Sequence, residues 1–260
     1  MSEELLSVEL IREALNTKFI GRPVLYYPTV SSTMDAAKMA VLDGVTEGTV
    51  IVADHQTAGR GRLGREWVSP PDSSLMMSII LYPRLEHLSR LTLVACLAIA
   101  RSIEAVTHLE TSIKWPNDVQ INGKKVSGVL VESDVNGDKV NYAAIGLAIN
   151  VNLDTDAIPE IADVATSLKR ELGIPVSRLE MLAALLGEFE AVYKDLCRGE
   201  PVQVEWKRRL TTLGQKVTVR CGDVVRKGIA EDVDDDGNLL LRLPNKKLEV
   251  ISAGDVTLKG

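Results

Sequence analysis

Apolar residues recur along the chain with two periods, and the switches between them predict the elements. Leu5, Leu6, Val8, Leu10, Ile11 and Leu15 are spaced as on one helix face, predicting a short amphipathic helix over 5–16. Residues 24–28 read as a strand. Ser31-Ser32-Thr33-Met34-Asp35 then opens a helix to about residue 42. Ser32 and Asp35 stand as a capping box, with Asp where Glu or Gln is usual. Ser32 and Thr33 are therefore either cap residues or ligand-facing ones. The β-branched run 49–53 predicts a buried strand, and a turn at Asp72-Ser73-Ser74 precedes another strand over 75–82. Helical spacing returns over 88–106, with Ala95, Ala98, Ile99, Ile103 and Val106 on the core face.

Residues 112–115 return to a strand. Asn122-Gly123, between 119–121 and 124–132, signals a type I′ hairpin, and Asn136-Gly137-Asp138 separates that run from a strand over 140–151. These strands predict an antiparallel meander whose hairpin brings residues 125–128 beside 114–118. A long amphipathic helix follows over 177–197 and another over 202–210. Beyond Leu213-Gly214 the texture changes to short alternating strands at 216–221, 224–232, 238–243 and 248–251, which read as a small β-barrel. The predicted architecture is thus α+β, a mixed and largely antiparallel sheet packed with helices over 1–212, plus a barrel over 213–260.

With 260 residues the chain is long enough for one large domain and a small appendage. Its net charge of −6 argues against binding nucleic acid through bulk charge, so any phosphate chemistry needs a local basic site. Cys96, Cys197 and Cys221 are odd in number and lack metal-ligand spacing, and read as reduced thiols. Residues 1–16 carry Glu3, Glu4, Glu9 and Glu13, unlike the basic-then-apolar pattern of a signal peptide. No apolar run approaches the ~18 residues of a spanning helix. A cytoplasmic setting without membrane association is the expectation.

Two stretches carry candidate chemistry. In Gln56-Thr57-Ala58-Gly59-Arg60-Gly61-Arg62-Leu63-Gly64-Arg65-Glu66-Trp67, three arginines alternate with three glycines. The glycines permit the turns and close backbone approach of a wrap around an anion, and guanidinium forks bind phosphate or carboxylate oxygens bidentately. It is not a Walker A loop, which requires Gly-x-x-x-x-Gly-Lys-Ser/Thr. By itself it fits a solvated turn, a nucleic-acid contact or a catalytic lid. The second stretch is Lys114-Trp115-Pro116-Asn117-Asp118, where Asp118 either serves chemistry or caps the turn before it.

Together with Ser32-Thr33, Lys125-Val126-Ser127-Gly128-Val129-Leu130-Val131-Glu132 and the segment from Ile145-Gly146 to Asn150, these motifs resemble biotin protein ligases in order and spacing along nearly the whole chain. The resemblance implies a class II synthetase-like catalytic domain followed by an SH3-like barrel. The implied activity is ATP-dependent: biotin is activated as biotinyl-5′-AMP, then passed to one lysine of a biotin carrier domain such as that of acetyl-CoA carboxylase. ATP and biotin are the implied substrates. Mg2+ is expected with the ATP phosphates, with no protein metal ligand. Relatives that also repress transcription carry a DNA-binding domain in front; with about 20 residues ahead of the catalytic region, this chain is expected to be monofunctional, without a nucleic-acid partner. Relatives often pair through a sheet edge, so a homodimer is expected.

The resemblance also implies residue roles. Arg60, Arg62, Lys125 and Asp118 are the catalytic candidates, Arg60 and Lys125 at the carboxylate and α-phosphate end, Asp118 orienting or deprotonating the acceptor amine. Ser32, Thr33, Gln56, Gly59, Arg60, Lys125, Gly128 and Gly146 fall to biotin. Arg62, Arg65, Trp67, Asn117 and Asn150 fall to ATP and the adenylate. Met34, Leu63, Leu147 and Ala148 depart from residues common in the family, Met34 replacing a frequent asparagine. Two rivals stand beside this reading. A lipoate protein ligase shares the fold and chemistry but has a different Arg-Arg and Gly-Gly loop and no Lys-Trp-Pro-Asn-Asp run. A nucleotide- or nucleic-acid-binding module would use the loop and Trp67 for backbone and stacking contacts.

Overall fold

The computed structural model describes residues 6–258; Leu5, Glu3 and Glu4 lie outside them. The first helix is shorter than its apolar spacing predicts: α1 spans Val8–Ala14, with the Ser7 hydroxyl accepting from the amide of Leu10 at 3.2 Å. After β1 (Val24–Val30), α2 (Thr33–Leu42) starts at its predicted cap, Ser32, whose hydroxyl accepts from Met34 N at 3.2 Å. Only the serine half of the capping box forms, because the Asp35 carboxylate is turned to Arg60. Next come β2 (Val50–Gln56), β3 (Leu75–Leu81), a short α3 (Leu85–Leu88) and α4 (Leu91–Thr107). The predicted 88–106 helix is interrupted at its start, since Ser89 and Arg90 both bind the Asp236 carboxylate, at 3.0 and 3.2 Å, and turn the chain there.

The meander is present as β4 (Ser112–Lys114), β5 (Asp118–Ile121), β6 (Lys124–Asn136) and β7 (Lys139–Ile149). Asn122 and Gly123 have φ of 51° and 77°, as the type I′ reading requires. β6 runs further than predicted because its pairing with β7 continues to Asn136 opposite Lys139. The seven strands form one sheet in the order β1-β2-β3-β7-β6-β5-β4, parallel only between β1 and β2.

A small α5 (Leu168–Leu172), which no pattern announced, leads to α6 (Arg178–Cys197) and α7 (Val202–Arg208). Alternation along each strand splits the core between two faces. Val50, Val52, Leu75, Met77 and Ile79 join the large cluster under α4 and α6, while Ile51, Ile80 and Ala144 face α2. α4 is buried nearly all round, Val94, Cys96, Leu97 and Ala100 included, because α6 and α7 cover the side away from the sheet.

The C-terminal strands β8 (Lys216–Cys221), β9 (Val224–Val233), β10 (Leu239–Arg242), β11 (Leu248–Ile251) and the unforeseen β12 (Asp255–Leu258) form a second, antiparallel sheet in the order β11-β10-β9-β8-β12. It is not a closed barrel: among the described residues β11 and β12 do not pair. This sheet is fastened to the rest of the chain by Trp115 Nε1 donating to Gly237 O at 2.9 Å and by the ion pair between Lys207 of α7 and Asp232 at 2.6 Å, while Trp115 N donates to Thr212 Oγ1, just ahead of β8, at 3.0 Å.

One buried carboxylate clamps the N-terminal segment to α6. Glu190 accepts from the amides of Lys18, Phe19 and Ile20 at 2.8–3.1 Å and pairs with Lys194. Burial alone would raise its pKa, but Lys194 and the backbone amides outweigh burial and hold it at about 2. Its folded value therefore lies below its ordinary 4.5, so the stabilisation is complete above that pH and is lost as pH falls toward 2. Glu190→Gln is expected to cost about 2 kcal/mol at pH 7. In denaturant titrations the gap from wild type should narrow steadily below pH 4.5; a gap that stays constant down to pH 3 would refute this account.

Candidate active site

The α2 side of the sheet has a floor of small residues. Register places Met76, Ala148, Gly128 and Asp118 in one cross-strand row, and Ser78, Gly146 and Leu130 in the next. Side chains two apart on a strand share a face, so the two rows form one surface. Over it lies the N-terminus of α2. Thr33 anchors that end: its amide donates to Gln56 Oε1 at 2.7 Å, its hydroxyl donates to the same oxygen at 3.2 Å and accepts from Ser78 Oγ at 2.9 Å. Gln56 Nε2 is left with the Met76 sulfur, at 3.3 Å. The resulting cavity is lined by Ser32, Thr33, Gln56, Arg60, Arg62, Trp67, Asn117, Lys125, Gly128 and Gly146, all nominated from sequence, and by Met34, Leu130 and Ala148. Its free volume is about 50 Å³, narrow beside the ~300–1,000 Å³ of pockets that hold small ligands, with Arg60, Arg62 and Trp67 of the loop among its walls.

A second, larger cleft of about 390 Å³ adjoins the first across Trp67 and Lys125 and is bordered by Arg65, Asp118 and Asn150. Lys125 stands between the two. Its ammonium lies 2.7 Å from Asp118 Oδ1 and 5.5 Å from the centre of the Trp67 ring. The close packing depends on Gly128, where a Cβ would lie 3.0 Å from the Lys125 Cε and Nζ atoms and 3.3 Å from the Trp67 ring. The hairpin register explains the Lys125–Asp118 contact: Lys125 pairs with Gln120, two residues from Asp118, and a bulge between Val119 and Gln120 sets Gly128, without a side chain, opposite Asp118. Asp118 thus pairs with Lys125 instead of closing the Trp115–Asn117 turn.

The remaining cations are already engaged. Asp35 holds the Arg60 guanidinium bidentately at 2.7 and 3.1 Å. Arg62 donates to Asn117 Oδ1 at 2.9 Å and Gly254 O at 3.3 Å, and Arg65 pairs with Asp255. Burial pushes the Arg62 guanidinium below its usual value, with Asp118 partly offsetting that. Asn117 also donates to Val129 O at 2.7 Å, which fixes it beneath the loop. Asn150 donates to Thr166 O at 3.0 Å, but its buried Oδ1 has no protein partner, and neither does the buried Trp67 Nε1. Gly59 lies outside both linings and packs against Trp67.

Several participants escaped the sequence reading. Ser78 orients Thr33, and its one available signal was being the only polar residue in Leu75–Leu81. Asp35 entered only as a capping residue, while Gly254 and Asp255 are far away in sequence. Among the described residues no cluster of His, Cys, Asp or Glu could hold a metal, and no helix is long and apolar enough to cross a membrane.

Residues 26–150 match the model of the biotin/lipoate A/B protein ligase family, and residues 212–259 match that of the biotin protein ligase C-terminal domain. The bifunctional ligase/repressor BirA of Bacillus subtilis is 37% identical over 258 residues, covering 97% of this chain and 79% of that one. The biotin–[acetyl-CoA-carboxylase] ligase of Paracoccus denitrificans is 34% identical over 241 residues, 89% of this chain and 98% of that one. Among solved structures, the biotin protein ligase of Aquifex aeolicus in complex with biotin and ATP superposes with a TM-score of 0.79 at 32% identity, covering 92% of this chain and 99% of that one. With this sheet, these paired cavities and full-length likeness to such enzymes, the chain belongs to the biotin protein ligase family.

Proposed function

We propose that this protein joins biotin to ATP as biotinyl-5′-AMP and transfers the biotinyl group to a lysine of a biotin carrier domain, as on acetyl-CoA carboxylase. The observation that carries the reading is Lys125, paired with Asp118 at the junction of two cavities, one floored by small residues and one with an orphaned Asn150 oxygen. The bicyclic acid takes the first, its polar ring within reach of Ser32, Thr33 and Gln56. The nucleotide takes the second, where an exocyclic amine can donate to Asn150 Oδ1 and Trp67 can cover the base. Mg2+ enters with ATP as part of that substrate.

In the first step a carboxylate oxygen of biotin attacks the α-phosphorus and the bond to the β-phosphate breaks, releasing pyrophosphate. Two anions approach, so Lys125 and Arg62 supply charge where it builds up. Arg60, paired with Asp35, contributes once the loop rearranges around the acid. In the second step the acceptor amine attacks the biotinyl carbonyl and AMP leaves. That amine must first lose a proton, at roughly 4.6 kcal/mol for a free lysine at pH 7. Asp118, next to the reacting carbonyl through Lys125, orients and receives it.

In this reading residues 1–212 carry the chemistry and 213–260 form an accessory domain. A cytoplasmic setting and a homodimer belong to the same proposal, β1 being a sheet-edge strand with no strand on its outer side among the described residues. The net charge of −6 supports action without nucleic acid. The direct test is acid-dependent ATP–pyrophosphate exchange. Exchange is expected with biotin and not with lipoate; exchange with lipoate alone would transfer the protein to the rival ligase activity.

A further inference from the structure

The Gly/Arg loop is a folded hairpin. Gly61 N donates to Arg65 O at 2.7 Å and Trp67 N to Gly59 O at 2.9 Å, with a single 3-10 turn, Arg62–Gly64, at the tip. This shape directs two of its three guanidiniums onto the C-terminal sheet, Arg62 to the carbonyl of Gly254 and Arg65 to the carboxylate of Asp255. The receiving surface is fixed. Asp255 begins β12 and pairs in register with Arg220 of β8, and Cys221 Sγ donates to Ala253 O at 2.9 Å. Gly254 lies so close to β8 that a Cβ would meet Cys221 Sγ and Val219 Cγ1 at 2.9 Å. The sheet is itself fastened to the catalytic part through Trp115, Lys207 and the Asp236 contacts.

We propose that Asp255, together with the Gly254 carbonyl, is a positioning site that holds the Gly59–Trp67 loop closed over the cavities before any ligand arrives, and that the anionic groups of the bound ligands then take Arg62 and Arg65 over from it. The C-terminal sheet is the fixed stop against which the loop closes. An exposed ion pair alone contributes little, and Arg65 is 66% exposed; the half-buried Arg62 contact beside it makes the grip a joint one. The takeover rests on the adenylation reading, whereas the ligand-free grip does not.

The loop supplies its own reporter, because trypsin cleaves after Arg60, Arg62 and Arg65 only when the hairpin opens. Without ligand, Asp255→Asn should be nicked at these three bonds about fivefold faster than wild type. Its thermal midpoint should be unchanged, and Asp255→Glu should restore protection. With biotin and ATP, the Asn variant and wild type should be equally protected. Ligand-free rates within twofold of each other would overturn the grip, as would faster cleavage spread along the chain with a lowered midpoint. Persistent nicking of the Asn variant in the presence of biotin and ATP, with wild type protected, would overturn the takeover. If wild type itself gained no protection from biotin and ATP, the adenylation reading would fall while the grip stood.

Discussion

Lys125→Ala is expected to slow biotin-dependent ATP–pyrophosphate exchange by about 10²–10³-fold, as for other deletions of a preorganised charge at the reacting centre. The size of the effect follows from position, since Arg62 lines only the first of the two cavities. Lys125 borders both cavities, while Asp35 engages Arg60 and the C-terminal sheet engages Arg65. At Gly128, a Cβ would lie 3.0 Å from the Lys125 ammonium, so this is the position the glycine leaves open for it. Folding should be nearly untouched, because what fixes the residue in place is its backbone, through Lys125 N to Val164 O at 2.9 Å and Thr166 N to Lys125 O at 2.8 Å. The check is exchange measured beside a thermal melt. Equal exchange in variant and wild type would remove Lys125 from the reaction.

Asp118→Asn should act chiefly on the second half-reaction, lowering transfer from preformed biotinyl-AMP to the carrier by about 100-fold, the low end for loss of a positioned base. Adenylation should fall only severalfold, and not to nothing, because the Asp118 carboxylate is also what holds the Lys125 ammonium at 2.7 Å. The pH dependence is informative. With the carboxylate gone, the rate must follow the fraction of acceptor lysine that is already neutral, so raising the pH from 7 toward 9 should recover much of the loss. Single-turnover transfer at several pH values tests this. A variant that transfers normally but has lost adenylation would show that Asp118 serves only to hold Lys125.

Much of this site could be read from spacing because it is built from short motifs joined by local rules. The type I′ turn at Asn122-Gly123 pairs Lys125 with Gln120, two residues from Asp118, so the nearness of 125–128 to 114–118 was predictable, while the bulge that sets Gly128 opposite Asp118 was not. The helix at Ser32 and the strand ending at Gln56 were likewise visible in cap and β-branched patterns. What escaped depends on contacts between distant segments. Nothing near Arg65 in the chain announces Asp255, and Asp35 reads as half of a capping box until Arg60 is seen to occupy it. The small C-terminal β domain was legible strand by strand, but not its closure. Alternation and turn residues specify individual strands, but whether the outer strands of a sheet meet is settled by how far it curls, which no local pattern records.

Three polar groups at the cavities are short of partners. Gln56 gives its amide hydrogens to a sulfur, a weak acceptor, and the buried Asn150 oxygen and Trp67 nitrogen have no protein partner at all. Each buried unmatched group costs about 1–3 kcal/mol, and Ser74, His87 and Trp206 carry others away from these cavities. The Asn150 and Trp67 atoms differ in bordering a cleft, where a ligand can meet them. A small molecule that meets those atoms adds its binding free energy to that of the fold, so that substrate supply and resistance to unfolding are tied together through the same few atoms.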